Sequence, residues 1–280
     1  MKTSKILSAI KYRFTHREIK MEISKLCGVI LKTVPGTIRN KTDQDDAWFY
    51  CLAQQNNVIF DIGCNVGYTA LLALIQNPDR PYLLVDPNPI ALNQAQLNLI
   101  SNNLGFKAQY FSGFVSDKQN DSVKFYTIGA GAAGSMHPSH AESAALVNSF
   151  TQVKTVTLDF LYKYYGIKPN LVKIDVEGAE ILVMNGANIL AKETQCAFFV
   201  EMHNVENMGM KKAGQLMIDW CQANQYKAWY LKDAVEFKNS ELIKERGKCH
   251  LLLLPEQQVY PDYLKNIPQG SPLPTNQMSL

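Results

Sequence analysis

The chain predicts a doubly wound α/β fold with a mainly parallel sheet. Three observations carry that expectation: strand and helix patterns alternate from about residue 51 to 255, the strand runs are short and almost wholly apolar, and several end in an acid. Residues 1–50 read as a helical extension with a turn at Pro35 and Gly36. Ile6, Ile10 and Phe14 lie on one face of a basic helix that also holds Lys2, Lys5 and Lys11, suited to packing on the domain or on a second subunit, with a membrane surface as the alternative. Residues 58–62 form the first buried strand, and Val66, Ala70, Leu71 and Leu74 then recur at helical spacing. Tyr82–Asp86 is the second strand; Pro87 and Pro89 stop it and open a helix over 89–102. Residues 108–115 and 122–127 read as strands around a polar turn at 117–121, and 171–175 as another buried strand followed by a helix from about Ala179. Residues 196–201 and 249–254 are strands, 211–224 a helix, and Trp229 and Tyr230 begin a further strand. After Pro255 the tail carries Pro261, Pro268, Pro272 and Pro274, which favour a surface wrap or disorder at its end.

The turn after the first strand, Asp61-Ile-Gly-Cys-Asn-Val-Gly67, is the most informative segment. Gly63 and Gly67 allow tight turning and close approach of a ligand to the backbone. A dinucleotide fingerprint needs glycines at 63, 65 and 68, but Asn65 and Tyr68 stand at the last two. Asp61 at the strand end would repel a pyrophosphate and suit a cation. S-adenosylmethionine carries a sulfonium and an ammonium, so the charge favours it over NAD. Asp86, ending the second strand, is placed to accept from both ribose hydroxyls of either cofactor. In doubly wound sheets ligands bind beyond the carboxyl ends of the strands, where Asp61, Asp86, Asp175 and Glu201 all fall.

At 280 residues the chain can hold one large domain with appendages. Its hydrophobic fraction of 46% and charged fraction of 19% are those of an ordinary globular protein, and a formal net charge of +3 gives no argument for nucleic acid. Six cysteines without a CxxC pair fit reduced thiols in a cytoplasmic protein. No apolar stretch reaches the roughly 20 residues needed to span a bilayer.

Lys173-Ile-Asp-Val-Glu-Gly-Ala-Glu180, preceded by Val156-Thr-Leu-Asp-Phe-Leu161, resembles the signature of the FkbM family of S-adenosylmethionine-dependent methyltransferases. The segment from Asp61 to Gly67 is similar to that family's cofactor loop, and Val115-Ser-Asp117 to an element near the adenine. The likeness covers roughly residues 58–203. It implies the Rossmann-like class I methyltransferase fold, a seven-stranded sheet with its last strand antiparallel. It also implies methyl transfer to a hydroxyl, often of a sugar or a secondary metabolite. The cofactor-binding set expected on these grounds is Asp61, Gly63, Asn65, Gly67, Asp86, Pro87, Ser116, Asp117 and Asp175.

An aliphatic hydroxyl is a poor nucleophile until its proton is taken, so a base belongs beside it. The candidates are His203, Asp175, Glu177 and Glu201. Glu201 and His203 lie on alternate residues, hence on one side of a continuing strand, and His203 has the ordinary pKa best suited to neutral pH. Glu177 also suits the N-terminal end of the following helix, with Gly178 supplying the turn. Asp175, Glu201 and Asn204 form a set compatible with Mg²⁺, though without the spacing of a known metal motif. The loop from Gly129 to His140 reads as a cover over the acceptor, or as a surface connection; His137 and His140 lack the further ligands that zinc would need. The expected partner is a small-molecule or glycan hydroxyl acceptor. A protein or nucleic-acid methyltransferase and a non-catalytic cofactor-binding module are the alternatives; no base-flipping motif and no basic stripe with interleaved aromatics supports nucleic acid.

Overall fold

The computed structural model describes residues 20–39, 41, 43, 45–128 and 134–275. The basic face of Ile6, Ile10 and Phe14 and the glycines Gly129 and Gly131 lie outside the described residues. In chain order the elements are β1 (Glu22–Leu26), β2 (Val29–Thr33), α1 (Asp46–Gln55), β3 (Ile59–Ile62), α2 (Tyr68–Leu74), β4 (Tyr82–Asp86), α3 (Pro89–Ile100), β5 (Ala108–Ser112), β6 (Phe114–Val115), β7 (Ser122–Tyr126), α4 (Glu142–Leu146), β8 (Phe150–Val156), α5 (Leu158–Tyr165), β9 (Leu171–Ile174), α6 (Glu180–Asn185), α7 (Asn188–Thr194), β10 (Ala197–His203), α8 (Met210–Asn224), β11 (Tyr226–Tyr230), β12 (Val235–Glu236) and β13 (Lys248–Pro255).

The main sheet has the order β12-β11-β13-β10-β9-β3-β4-β5. From β5 to β10 neighbours run parallel, while β13 lies antiparallel between β10 and β11. The sheet is therefore mixed. It has eight strands, not seven, because the two-residue β12 adds an antiparallel edge to β11. Side-chain alternation splits the sheet's residues between two layers. Phe60, Ile62, Phe198, Val200, Leu251 and Leu253 face a core closed by α5–α8, whereas Ile59, Phe199, Leu252 and Leu254 face one closed by α1–α3. The helices begin where local chemistry allows. Asn88 caps α3 by accepting from the backbone N–H of Ile90 and Ala91, with Pro89 in the first turn, and Thr157 caps α5 through Phe160 N–H.

Several sequence expectations change. Residues 22–33 are a β-hairpin rather than helix: Cys27 and Gly28, both at positive φ (49° and 88°), form a two-residue connection that suits the twist of paired strands. The strand expected over 108–115 breaks at Gly113, and β6 leaves the main sheet to pair with β8 in a separate sheet with β7. The run after Ala179 divides into α6 and α7 at Gly186, where an added Cβ would meet the Ser116 carbonyl at 2.3 Å. Trp229 and Tyr230 end β11 rather than begin it. The tail after Pro255 does wrap the domain, with Trp48 Nε1 donating to the Ile267 carbonyl at 2.7 Å. No helix among the described residues is long and apolar enough to cross a membrane.

Candidate active site

Strands β3, β4, β9 and β10 deliver their acids to one rim of the sheet, but the four do not act alike. Asp61 is fully buried, with its carboxylate turned into the protein. It accepts from Thr69 Oγ1 (2.6 Å) and Tyr82 Oη (3.0 Å) and lies 3.3 Å from Lys173 Nζ. The expectation that Asp61 faces the cofactor's positive charges is thus corrected: it is a partner of Lys173, which sits opposite it in the β3–β9 register. Lys173 is itself buried. Burial would lower its pKa, but Asp61 and then Asp175 more than reverse that, so it is a permanent cation.

Beyond β3 and β4 lies a cleft of about 630 Å³. Its walls are Ile62, Gly63, Asn65, Asp86, Pro87, Asn88, Ala91, the segment 113–115, Phe125 and the β9 end at Asp175, Val176 and Glu177. Asp86 is its buried acid: one oxygen accepts from Asn65 N–H and the other from Asn88 N–H, both at 2.8 Å. Each oxygen keeps a further lone pair for an incoming hydroxyl. Burial pushes the Asp86 carboxyl up to about 6, against the downward pull of those two backbone donors. An apolar slot with a buried carboxylate at one end fits an adenosine, the rings against Phe114 and Val115 and the ribose diol on Asp86.

Packing leaves no room for a side chain at either glycine, and Gly63 also lines both cavities, whereas Gly67 lines neither. At Gly63 (φ 80°) a Cβ would stand 1.8 Å from the Asp175 carbonyl; at Gly67 (φ 80°) it would meet Ala95 of α3 at 2.8 Å. Ser116 and Asp117 bond to one another at 3.1 Å, and Gly113–Val115 line the cleft in their place.

A second, polar cavity of about 810 Å³ shares Gly63, Asn65, Asp175 and Glu177 with the first and adds Thr37, Arg39, Asp43, Tyr68, Lys173, Glu201 and Lys248. Around the shared wall His203 gathers the carboxylates. Its Nδ1 bonds Glu180 Oε1 at 2.9 Å, and its Nε2 lies 3.5 Å from Glu177, 3.7 Å from Glu201 and 4.0 Å from Asp175. Burial would lower the His203 pKa, but the Glu180 hydrogen bond and the charges of Glu180, Asp175 and Glu177 raise it to about 10. At neutral pH His203 is therefore a cation and not a free base, contrary to its ordinary pKa. Glu177 sits at φ 52° and Gly178 at φ 104°, a tight turn that presents the Glu177 side chain to both cavities. Burial raises the Glu177 pKa against the opposing charge of His203.

The acid at the start of α6 is Glu180, not Glu177; it also accepts from Gly178 N–H at 2.9 Å. Lys173 and Glu180 join the site without having been expected there; a lone lysine inside an apolar strand is the one sequence signal for them. His140 reads in the sequence as a loop residue. In the structure His140 Nδ1 lies 3.5 Å from Glu177 and its Nε2 bonds the Asn204 carbonyl at 2.7 Å. The set compatible with Mg²⁺ is not brought together as such. Asn204 is exposed and meets the cluster through its carbonyl, while Asp175, Glu177 and His203 bring their ligand atoms within 4.8 Å of one another.

The profile of the methyltransferase FkbM domain matches residues 61–228, more than half of the chain. The chain belongs to the FkbM methyltransferase family. No curated protein sequence matches it. Among solved structures it is similar to methyltransferase FkbM from Methylobacillus flagellatus KT at 11% identity (TM-score 0.45), covering 70% of this chain and 43% of that one, so it spans less than half of that relative. It is also similar to M. jannaschii TYW2 in complex with AdoMet, at 10% identity over 85% of this chain and 86% of that one (TM-score 0.43). A third is cofactor-bound Rv0187 from MTB, at 15% identity over 79% and 84% (TM-score 0.45). The match places residues 61–228 within a methyltransferase FkbM domain.

Two outcomes test this geometry. Asp86→Asn should weaken S-adenosylhomocysteine binding by roughly tenfold or more in calorimetry, since a hydrogen bond to a charged acceptor contributes about 1.5–3 kcal/mol. Wild-type affinity should also fall below a pH of about 6 as Asp86 takes a proton; unchanged affinity in the variant and a flat pH profile would contradict the ribose assignment. For His203 the folded pKa is raised, so its stabilisation is complete below its ordinary value of about 6.5 and is lost as pH rises through about 10. The stability gap between wild type and His203→Gln, read from urea unfolding, should shrink between about pH 7 and pH 10.5. A constant gap would show that His203 is not held as a cation.

Proposed function

We propose that the FkbM-family chain is an O-methyltransferase acting on a hydroxyl of a sugar, a glycan or a hydroxylated secondary metabolite. The observation that carries this reading is the wall shared by the two cavities, where Asp175 and Glu177 stand between an apolar nucleoside-sized cleft and a polar chamber. Bound in the first, S-adenosylmethionine supplies an electrophilic methyl group. Asp86 would hold its ribose, and Arg39, Lys248 and Asp43 in the polar chamber offer charges to a zwitterionic amino-acid end and to a polyhydroxylated acceptor. A chamber walled by charged and amide side chains suits an acceptor rich in hydroxyls better than an apolar one.

Glu177 is the base in this reading. The Asp175 carboxylate is engaged by Lys173 Nζ at 3.4 Å. Among the described residues Glu177 has no lysine partner of this kind, and burial raises its pKa, which suits a proton acceptor. As the new carbon–oxygen bond forms and the sulfur–carbon bond breaks, the hydroxyl proton passes to a Glu177 oxygen. His203 and His140, both 3.5 Å from Glu177 Oε2, orient that carboxylate.

Screening hydroxylated sugars and metabolites with labelled S-adenosylmethionine identifies the acceptor. With it, Glu177→Gln should lower kcat by about 10²–10⁴-fold while leaving S-adenosylhomocysteine affinity near that of wild type. Undiminished kcat would remove Glu177 from the base role, and label appearing on protein or nucleic acid alone would overturn the acceptor class.

A further inference from the structure

Behind Glu201, away from the shared wall, a second group of ligating side chains meets in the interior. Glu201 of β10 lies directly opposite His250 of β13 in the antiparallel register, and Asp45 comes in from the start of α1. His250 Nε2 is 3.5 Å from Glu201 Oε2 and 3.8 Å from Asp45 Oδ2. All three residues are buried, at 2%, 5% and 4% exposure for His250, Glu201 and Asp45. Neither ring nitrogen of His250 has a hydrogen-bond partner, and neither does Asp45 Oδ1. Asp45 occupies the N-cap position of α1, yet its side chain makes no capping hydrogen bond. A buried polar atom without a partner is costly, and the orphaned His250 Nε2 faces a carboxylate oxygen of both Glu201 and Asp45, a setting that calls for a ligand.

We infer that Asp45, Glu201 and His250 form a buried site for a divalent transition metal of the Zn²⁺ class. Tetrahedral coordination at about 2.0–2.1 Å places donor atoms about 3.3–3.5 Å apart, and the two separations at His250 need to close by only a few tenths of an ångström at most. One imidazole with two carboxylates suits Zn²⁺ or a metal like it, whereas Mg²⁺ and Ca²⁺ take oxygen donors. The surroundings hold the donors in place. The His250 ring stacks on Phe199 (centroids 5.8 Å apart, planes at 19°) and packs against Trp48 at 5.6 Å. Lys248 Nζ binds the other oxygen of Glu201 at 2.5 Å, leaving Oε2 directed at His250. His203 differs: Glu180 already engages its Nδ1, and its Nε2 faces three carboxylates.

A metal here ties the start of α1 to the β10–β13 pair and fixes Glu201 in the wall of the polar chamber. The inference stands apart from the methyl-transfer reading because it is read without turnover, although Glu201 also lines the polar chamber. Metal analysis of the full chain grown with added zinc should find about one equivalent. Titrating the chelated protein with Co²⁺ should give the visible absorption of a tetrahedral site, saturating at one equivalent. Asp45→Ala and His250→Phe, the latter keeping the stack on Phe199, should both lose that absorption. Glu177→Gln, which alters the other carboxylate group, should retain it, and circular dichroism checks that each variant folds. Absence of Co²⁺ absorption in wild type, its survival in a folded Asp45→Ala or His250→Phe, or its loss in Glu177→Gln would overturn the site.

Discussion

A lysine buried in the middle of the sheet is the constraint on which both cavities depend. Lys173 stands between Asp61 and Asp175, at 3.3 and 3.4 Å, with almost no exposure of its own. Taking these charges out of water costs several kcal/mol per ion unless every partner is in place. Here Thr69 and Tyr82 both donate to Asp61 Oδ2, Oδ1 faces Lys173 at 3.3 Å, and His203 stands near Asp175. The network ties the loop after β3 to the end of β9. Those two segments approach so closely that a single methyl at Gly63 would strike the Asp175 carbonyl. Asp61 therefore contributes to the cofactor site through position: it holds the floor on which the cleft is built.

The rim above that floor separates its acids by environment. Asp86 is isolated with two backbone donors and left to accept. Asp175 is committed to Lys173. Glu177 is held at the crossing of the two cavities, between two imidazoles. Like charges gathered this closely would repel strongly without a cation among them, and a protonated His203 bonded to Glu180 is that cation. What looks like a candidate base in isolation becomes, in its setting, the group that keeps the carboxylates together.

Much of the fold was legible because parallel strands buried on both faces must be short apolar runs, and the residues from Ile59 to Ile62, from Tyr82 to Asp86 and from Leu171 to Ile174 are such runs. The acids at their ends marked the rim for the same reason. The direction of Asp61 was harder: lying between Phe60 and Ile62, it projects to the face opposite theirs, and only strand pairing reveals Lys173 as its partner. The hairpin over 22–33 was obscured because Cys27 is an uncommon residue for a left-handed turn position. His140 was illegible in principle, since its approach to Glu177 and Asn204 is set by the path of a long connection and by no local pattern.

The central claim is that the apolar cleft ending on Asp86 is the adenosyl site and that Asp61 lies beneath it, out of reach of the ligand. A crystal structure of the chain with S-adenosylhomocysteine tests this most directly. The account predicts both ribose hydroxyls bonded to Asp86, the amino-acid end reaching the polar cavity past Gly63, and no ligand atom on Asp61. A ligand bonded to Asp61, or bound away from the cleft between Pro87 and Val115, would contradict it.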